Sequence, residues 1–299
     1  MSRLTLRAHA KINLNLRVLG RRPDRFHEMV SVVQTISLHD TLILEATGTE
    51  TVLTTDDPSL PTDRSNLVLR AAAALPRPAG PSQGLRFRLE KRIPAGAGLG
   101  GGSSDAAAAL AGGARVLGLA AAETELMKLA APLGADVPYF LVGGTALLRG
   151  RGEAVRPLPE TLDYQVLLVF PGTPLATRTV YEAYDASLTA TRKISRMTRF
   201  DPTLTEATPR GVEEWVRVGN DLEPCARELC PAIGAIGDRM RRCGATAAAM
   251  TGSGSAVFGI FRDADRLTRA ARTMEADGYR AWRCAPLGRQ EYRRHLGLA

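Results

Sequence analysis

Apolar and polar residues alternate cleanly over 11–18, with Ile12, Leu14, Leu16 and Val18 on one side and Lys11, Asn13, Asn15 and Arg17 on the other. A period of two marks a half-buried strand, and it gathers Lys11, Asn13 and Asn15 on the face opposite the apolar residues. The segment LGRRPDRFHE (19–28) carries Gly, Pro and Asp and reads as a turn or loop. Strand-like runs return at 41–46, 51–55 and 85–93, the last with Leu85, Phe87 and Leu89 on one side and ended by Pro94. SNLVLRAAAAL (65–75) predicts a helix capped by Ser65 or Asp63. An alanine-rich helix opened by Ser103-Ser104-Asp105 runs to about residue 118, and a second from about 122 to 133 leads into GADVPYF (134–140).

After strands within 145–158 the pattern restarts with the buried run QVLLVFPG (165–172). Helices are predicted near 178–186, 211–217, 223–243 and 263–277, around the strand–glycine–strand unit AAAMTGSGSAVFGIF (247–261), with a final strand near 279–285. Strands and helices mix without the strict βαβα order of a doubly wound sheet, so the fold class is α+β. The chain divides near residue 150, into 1–152 and 153–299. The polar stretch 190–210 takes no part in any predicted site.

Composition narrows the chemistry. With 299 residues and 44% hydrophobic content the chain can bury a substantial core. Only four of its 39 basic residues are lysine: Lys11, Lys91, Lys128 and Lys193. None follows a glycine, so the phosphate loop GxxxxGK[ST] is absent. The net charge of +8 comes from scattered arginines, and aromatics make up only 5%, too few for a base-stacking platform. The charge suits anionic metabolites, and no nucleic-acid partner is expected. Cys225, Cys230, Cys243 and Cys284 form no CxxC pair and no metal-ligand spacing, so no metal-ligating residues are assigned and a reducing compartment is expected. The N-terminus lacks an uninterrupted signal-peptide core, and the longest uncharged run (243–261) is broken by Gly, Ser and Thr. A cytoplasmic protein without a membrane partner is expected.

The densest chemical signal is PAGAGLGGGSSDAAAAL (94–110). Glycine at this density means that the backbone approaches something closely or repeatedly adopts positive φ. A strand before it and a helix after it favour an anion site over a hinge. The serine hydroxyls, free N–H groups and positive helix end suit phosphates. Gly96, Gly98 and Gly101 also satisfy the dinucleotide pattern GxGxxG. However, Pro94 separates strand from loop, and Glu123 and Glu125, about 20 residues on, fall in a predicted helix. TGSGS (251–255) is a tight hairpin by itself, and the other wall of a phosphate site if the two loops meet. Asp136, set among Val, Pro, Tyr and Phe, is either a helix-end cap or a general base. Lys11 is an ordinary strand-face lysine unless it lies near Asp136, where its charge would hold the carboxylate ionised and stabilise a moving phosphoryl group.

In this order, AKINLNL (10–16), PAGAGLGGGSS (94–104) and MTGSGSAVFGIF (250–261) resemble the motifs of the GHMP kinases, which phosphorylate galactose, homoserine, mevalonate and phosphomevalonate. AKINLNLRVLGRRPDRFHEM (10–29), GLGGGSSDAA (98–107), LGADVPYF (133–140) and NDLE (220–223) are most similar to the branch acting on a cytidine-diphosphate-linked methylerythritol in non-mevalonate isoprenoid synthesis. The resemblance covers nearly the whole chain. It implies the two-domain GHMP kinase fold, with an N-terminal half like ribosomal protein S5 domain 2 and a ferredoxin-like α/β C-terminal half. It implies ATP-dependent transfer of a phosphoryl group to the 2-hydroxyl of the erythritol moiety, with Mg²⁺ bridging phosphate oxygens.

By the same resemblance, Pro94, Ala95, Gly96, Ala97, Gly98, Leu99, Gly100, Gly101, Gly102, Ser103 and Ser104 wrap the ATP phosphates. Asp136 and Lys11 are the catalytic pair, and Asn13 contacts substrate. His27 reads the cytosine edge, with Phe26 and Tyr181 sandwiching the ring. Two positions depart from the family pattern. Phe26 stands where tyrosine is more usual, and Ala97 replaces a common loop glycine. Other readings are a GHMP kinase for a different alcohol such as mevalonate or homoserine, a dinucleotide-binding oxidoreductase, and an RNA-binding module.

Overall fold

A computed structural model describes residues 3–76, 83–119, 122–190 and 211–298, so the polar stretch 190–210 lies, from 191 on, outside the described residues. The alternating N-terminus becomes β1 (Leu4–Asn13), and β2 (Arg17–Arg21) follows it. Both pair antiparallel with one edge of β3 (His27–Thr47), a strand of 21 residues. The other edge of β3 is shared by β5 (Gly84–Glu90) and β6 (Thr145–Gly150). Outer strands β4 (Val52–Thr55) and β7 (Ala154–Pro157) complete a seven-stranded sheet.

The sequence pattern showed only the 41–46 part of β3. Residues 29–36 are buried on both faces, which removes the period of two. Their polar members are satisfied inside: Ser31 Oγ donates to Asn15 O at 2.5 Å, and Thr35 Oγ1 meets the Tyr139 hydroxyl at 2.7 Å. The expected half-buried strand at 11–18 is corrected twice: Lys11, Asn13 and Asn15 are all buried, and the strand breaks after Asn13, with β2 running from Arg17 to Arg21 into the segment expected as a loop.

Helices α1 (Leu67–Ala74), α2 (Gly101–Val116), α3 (Glu123–Ala130) and α4 (Val137–Val142) accompany this sheet. The cap of α1 is Asn66, whose Oδ1 accepts from Val68 N at 2.9 Å, rather than Ser65 or Asp63. Helix α2 starts two residues earlier than its serines suggested, with Gly100 in the left-handed conformation as N-cap. Its small side chains let it lie close against the sheet, since a Cβ on Gly112 would stand 2.7 Å from Leu6.

The second sheet holds β8 (Gln165–Phe170), β9 (Ala247–Met250), β10 (Val257–Phe261) and β11 (Arg280–Cys284). All pairings are antiparallel, in the order β11-β8-β10-β9. Among the described residues five helices accompany it: α5 (Thr177–Ala190), α6 (Val212–Val218), α7 (Glu223–Leu229), α8 (Ala232–Arg242) and α9 (Ala264–Ala276). With helices between its first and second and its third and fourth strands, this sheet has the ferredoxin-like arrangement. The single helix expected at 223–243 is split at Cys230-Pro231, since proline cannot donate to the preceding turn.

A last helix unforeseen in the pattern, α10 (Arg289–His295), returns the chain to the first sheet. There Tyr292 Oη donates to Phe140 O at 2.5 Å, and His9 Nε2 meets His295 Nδ1 at 2.9 Å. His9 also packs against the His39 ring at 4.9 Å and Tyr292 at 5.9 Å, and Arg7 lies near His295. Burial first, then the neighbouring His39 and His295, pulls the His9 pKa down from 6.5 to about 3.

A buried ion triad anchors the first half beneath the glycine loop. Lys91 Nζ lies 2.5 Å from Asp40 Oδ2 and 2.7 Å from Asp105 Oδ2. Asp40 Oδ1 accepts from the backbone of Arg92 at 2.5 Å and Ile93 at 2.9 Å, directly ahead of the loop. Burial pushes the Asp105 carboxyl up to about 7. Burial works against the Lys91 charge, but Asp105 and Asp40 outweigh it and hold the ammonium above its ordinary pKa.

Two outcomes follow from these buried charges. Between pH 6.5 and about 3 the unfolded chain takes up a proton that folded His9 refuses, so stability falls as pH drops through that window. The full loss is on the order of 5 kcal/mol at one pKa unit per 1.36 kcal/mol. Thermal melting across pH 7 to 4 is therefore expected to show a shallower slope for His9→Gln than for the wild type. Lys91→Met strands two buried carboxylates without a counter-charge. A loss of about 3–5 kcal/mol is expected in urea unfolding at pH 7.

Candidate active site

A cleft of about 1270 Å³ runs from the glycine loop to the start of β3 and along α5. Its floor is the end of β1. A bulge between His9 and Lys11 breaks the ladder with β3 there. The Lys11 N–H donates to Leu99 O at 3.1 Å and so ties the strand to the glycine loop. The Lys11 side chain passes beneath Gly100, whose added Cβ would meet Lys11 Cε at 3.3 Å. Its ammonium is held by two neutral acceptors, Asn13 Oδ1 at 2.5 Å and Gly98 O at 3.0 Å, and reaches Asp136 Oδ2 at 3.7 Å. Burial lowers the Lys11 pKa, against the opposing attraction of Asp136. Asp136 stands at the N-terminal end of α4 without making a side-chain cap bond there. One third of its side chain is exposed, against 5% for Lys11, so the carboxylate faces the cleft while the ammonium supports it from below.

The two glycine-rich turns meet. Gly98 has φ +77°, and a Cβ on it would fall 2.3 Å from Thr251 O. Gly252 has φ +58°, and its Cβ would fall 2.8 Å from Gly98 O. Only glycine fits both demands, the positive φ and the close approach of a second backbone. Thr251 Oγ1 accepts from Asn13 N at 2.9 Å and donates toward Gly98 O at 3.4 Å. Ala97, the non-glycine in the loop, escapes strain because its φ is not positive, and its carbonyl accepts from Ala256 N at 3.2 Å.

Pro94 to Ser103 line the cleft, including Ala95, Gly96, Leu99, Gly101 and Gly102. Ser104 lies buried under this rim, and its Oγ has no hydrogen-bond partner, nor has Asp105 Oδ1. Among the described residues there is no group of three or more His, Cys, Asp or Glu able to hold a metal. No described helix is long and apolar enough to cross a membrane.

At the other end of the cleft, His27 Nε2 lies 2.7 Å from Asp185 Oδ1. The Tyr181 ring stacks on His27 with centroids 4.7 Å apart and planes inclined by 26°, and Tyr184 stands edge-on at 6.4 Å. Phe26 is at the rim, 56% exposed, with the Arg151 guanidinium 5.0 Å from its centroid. Tyr181 therefore stacks on the histidine itself. Burial raises its hydroxyl pKa to about 12, which keeps it neutral.

Sequence reasoning missed Asp185, although Tyr181 and Asp185 are spaced i,i+4 and so share a helix face. It also missed what NDLE does. Asn220 Nδ2 donates to Met250 O at 3.1 Å and Gly252 O at 2.8 Å, and Glu223 accepts from Met250 N at 3.0 Å. Asp221 meanwhile accepts from Val18 N at 2.8 Å and pairs with Arg17 at 2.8 Å. The motif thus ties the second turn to β2, the strand that follows the one carrying Lys11.

Residues 66–144 match the GHMP kinases N terminal domain, and residues 204–280 match the GHMP kinases C terminal domain. The chain is 38% identical to the 4-diphosphocytidyl-2-C-methyl-D-erythritol kinase of Caldicellulosiruptor bescii, with 91% of this chain and 94% of that protein aligned. It is 41% identical to the enzyme of the same name from Solibacter usitatus, over 96% of this chain and 90% of that one. A crystal structure of 4-(cytidine 5'-diphospho)-2C-methyl-D-erythritol kinase superposes with a TM-score of 0.78 at 37% identity, covering 95% of this chain and all of that one. Fold, paired glycine turns and relatives agree, and this chain belongs to the GHMP kinase family, on the branch of the 4-diphosphocytidyl-2-C-methyl-D-erythritol kinases.

Proposed function

We propose that this chain transfers the γ-phosphoryl group of ATP to the 2-hydroxyl of 4-diphosphocytidyl-2-C-methyl-D-erythritol. The observation that carries the reading is the Lys11–Asp136 pair, 3.7 Å apart, at the junction of two mutually packed glycine turns. Phosphoryl transfer asks for positioning and charge stabilisation rather than covalent work by the protein. Pro94 to Ser104 offer backbone N–H groups and the start of α2 to the ATP phosphates. Asp136 orients the acceptor hydroxyl and takes its proton as that oxygen bonds to the γ-phosphorus and the bond to the departing ADP oxygen breaks. Lys11, poised by Asn13 and Gly98, offsets charge on the group in transit.

When bound, Mg²⁺ would neutralise charge on the ATP phosphates. The unpartnered oxygens of Ser104 and Asp105 are hard donors of the right kind, and these residues would hold it. The cleft exceeds the roughly 300–1,000 Å³ of a single small-molecule site, and so suits two ligands at once. Arg21, Arg25, Arg151 and Arg178 on its walls match a diphosphate-bearing acceptor. His27, Phe26 and Tyr181 form the nucleobase end, and Asn13 faces the acceptor. In this reading the chain divides into 1–152 and 153–299 and works in the cytoplasm on small molecules, without nucleic-acid or membrane partners. We read the GxGxxG match as part of the ATP loop: after α2 the chain passes through α3 and α4 before β6, and β6 pairs with β3 rather than with β5.

ADP release is expected with the cytidine-diphosphate substrate and not with mevalonate or homoserine; the reverse preference would reassign the acceptor. Asp136→Asn is expected to lower kcat by about 10²–10⁴ while ATP binding persists. Turnover near the wild-type rate would remove Asp136 from the role of base.

A further inference from the structure

The imidazole of His27 is held at the seam between β3 and α5. Its Nε2 lies 2.7 Å from Asp185 Oδ1, and the Tyr181 ring, one helical turn before Asp185, covers one face at 4.7 Å. Arg21 Nη1 lies 3.9 Å from the other oxygen, Asp185 Oδ2, so the carboxylate also faces a guanidinium. An ionised carboxylate only accepts hydrogen bonds, so the atom facing it must be Nε2–H. The hydrogen bond on one ring nitrogen decides the tautomer of the other, and Nδ1 of the neutral ring is then left as an acceptor. No described residue hydrogen-bonds to Nδ1, and His27 lines the cleft.

Resting on the reading above, we infer that Asp185 is the positioning residue that makes His27 an acceptor toward the cleft and so selects a nucleobase with an exocyclic amine over one with an oxo group. Cytosine presents an amino group at C4 and can donate to Nδ1. Uracil presents a carbonyl there, which would set two lone pairs against each other and leave both groups unpaired. Tyr181, stacked on the imidazole, does not bear on this choice. Discrimination therefore falls to the ring nitrogen that Asp185 configures. The carboxylate is on α5 and the histidine on β3, so the contact also fixes the two walls of this end of the cleft relative to each other.

The test is steady-state kinetics of the full chain with ATP and either the cytidine- or the uridine-diphosphate form of the methylerythritol substrate. An amide at 185 can turn its NH₂ toward Nε2 and invert the tautomer. Asp185→Asn is therefore expected to raise the KM for the cytidine substrate about tenfold and cut the cytidine-over-uridine preference in kcat/KM by a similar factor. Its kcat and its KM for ATP are expected to stay within about twofold of the wild type. Asp185→Glu, which keeps the acceptor, is expected to recover most of the base preference. If Asp185→Asn keeps the wild-type preference, or loses both substrates equally through kcat, the inference is overturned and the kinase reading stands. If the wild type turns over neither substrate, it is the kinase reading that fails.

Discussion

Two backbones pass each other at Gly98 and Gly252 with no room for a Cβ on either, and most of the site depends on that contact. The first turn comes from the half of the chain that carries Lys11 and Asp136, and the second from the antiparallel sheet of the other half. Because the carbonyl of Gly98 is fixed there, it can hold the Lys11 ammonium at 3.0 Å and receive the Thr251 hydroxyl from the other side. Thr251 in turn accepts from the backbone of Asn13, whose side chain is the other anchor of Lys11. A change in the approach of the two turns would therefore reach the lysine through two independent acceptors. This is how a site assembled from distant segments of the chain can hold a charged group to fractions of an ångström.

The electrostatics are layered around that contact. Lys11 is buried against neutral acceptors, which lowers the cost of its charge less than a second carboxylate would, and Asp136 provides the one strong attraction. Below the loop, Lys91 has the opposite setting, with carboxylates on two sides, and its charge is locked in place. One lysine is left responsive to charge arriving in the cleft, and the other is committed to structure. Lysine suits both tasks because its ammonium is a compact charge whose pKa moves readily with burial, whereas arginine stays charged in almost any setting. In a chain with only four lysines among 39 basic residues, the choice of lysine at these two positions is therefore informative.

Motif chemistry was legible in the sequence wherever a residue type is required by backbone geometry. The glycines at 98 and 252 and the proline at 94 announced loop positions that no side-chain packing demands. The alternation over 11–18 placed Lys11 and Asn13 on one face. Periodicity failed where burial is two-sided, as at 29–36 of β3, since alternation reports a difference between faces and none exists there. The helix at 289–295 escaped because seven residues are too few for a convincing period, and it is held by tertiary contacts through Tyr292 and His295. The cap of α1 moved by one residue, which is the ordinary uncertainty of an Asp-rich or Ser-rich approach to a helix.

Partnerships between segments far apart in sequence were the least legible. His27 and Asp185 are separated by 158 residues, and nothing local in either segment implies the other. The same holds for Asn220 and the turn at 250–252, although NDLE stood out as a signature before its role was visible. The two cases share a form. A side chain of the second half fixes a polar atom of the first half, or of the turn that touches it, and the fixed residue lines the cleft. Specificity in such a site depends as much on the residues that orient the contacting groups as on those groups themselves. Asp185 and Asn220 each remove one orientation that a flexible His27 or Gly252 would otherwise sample, so the cleft meets its ligands with its donors and acceptors already assigned.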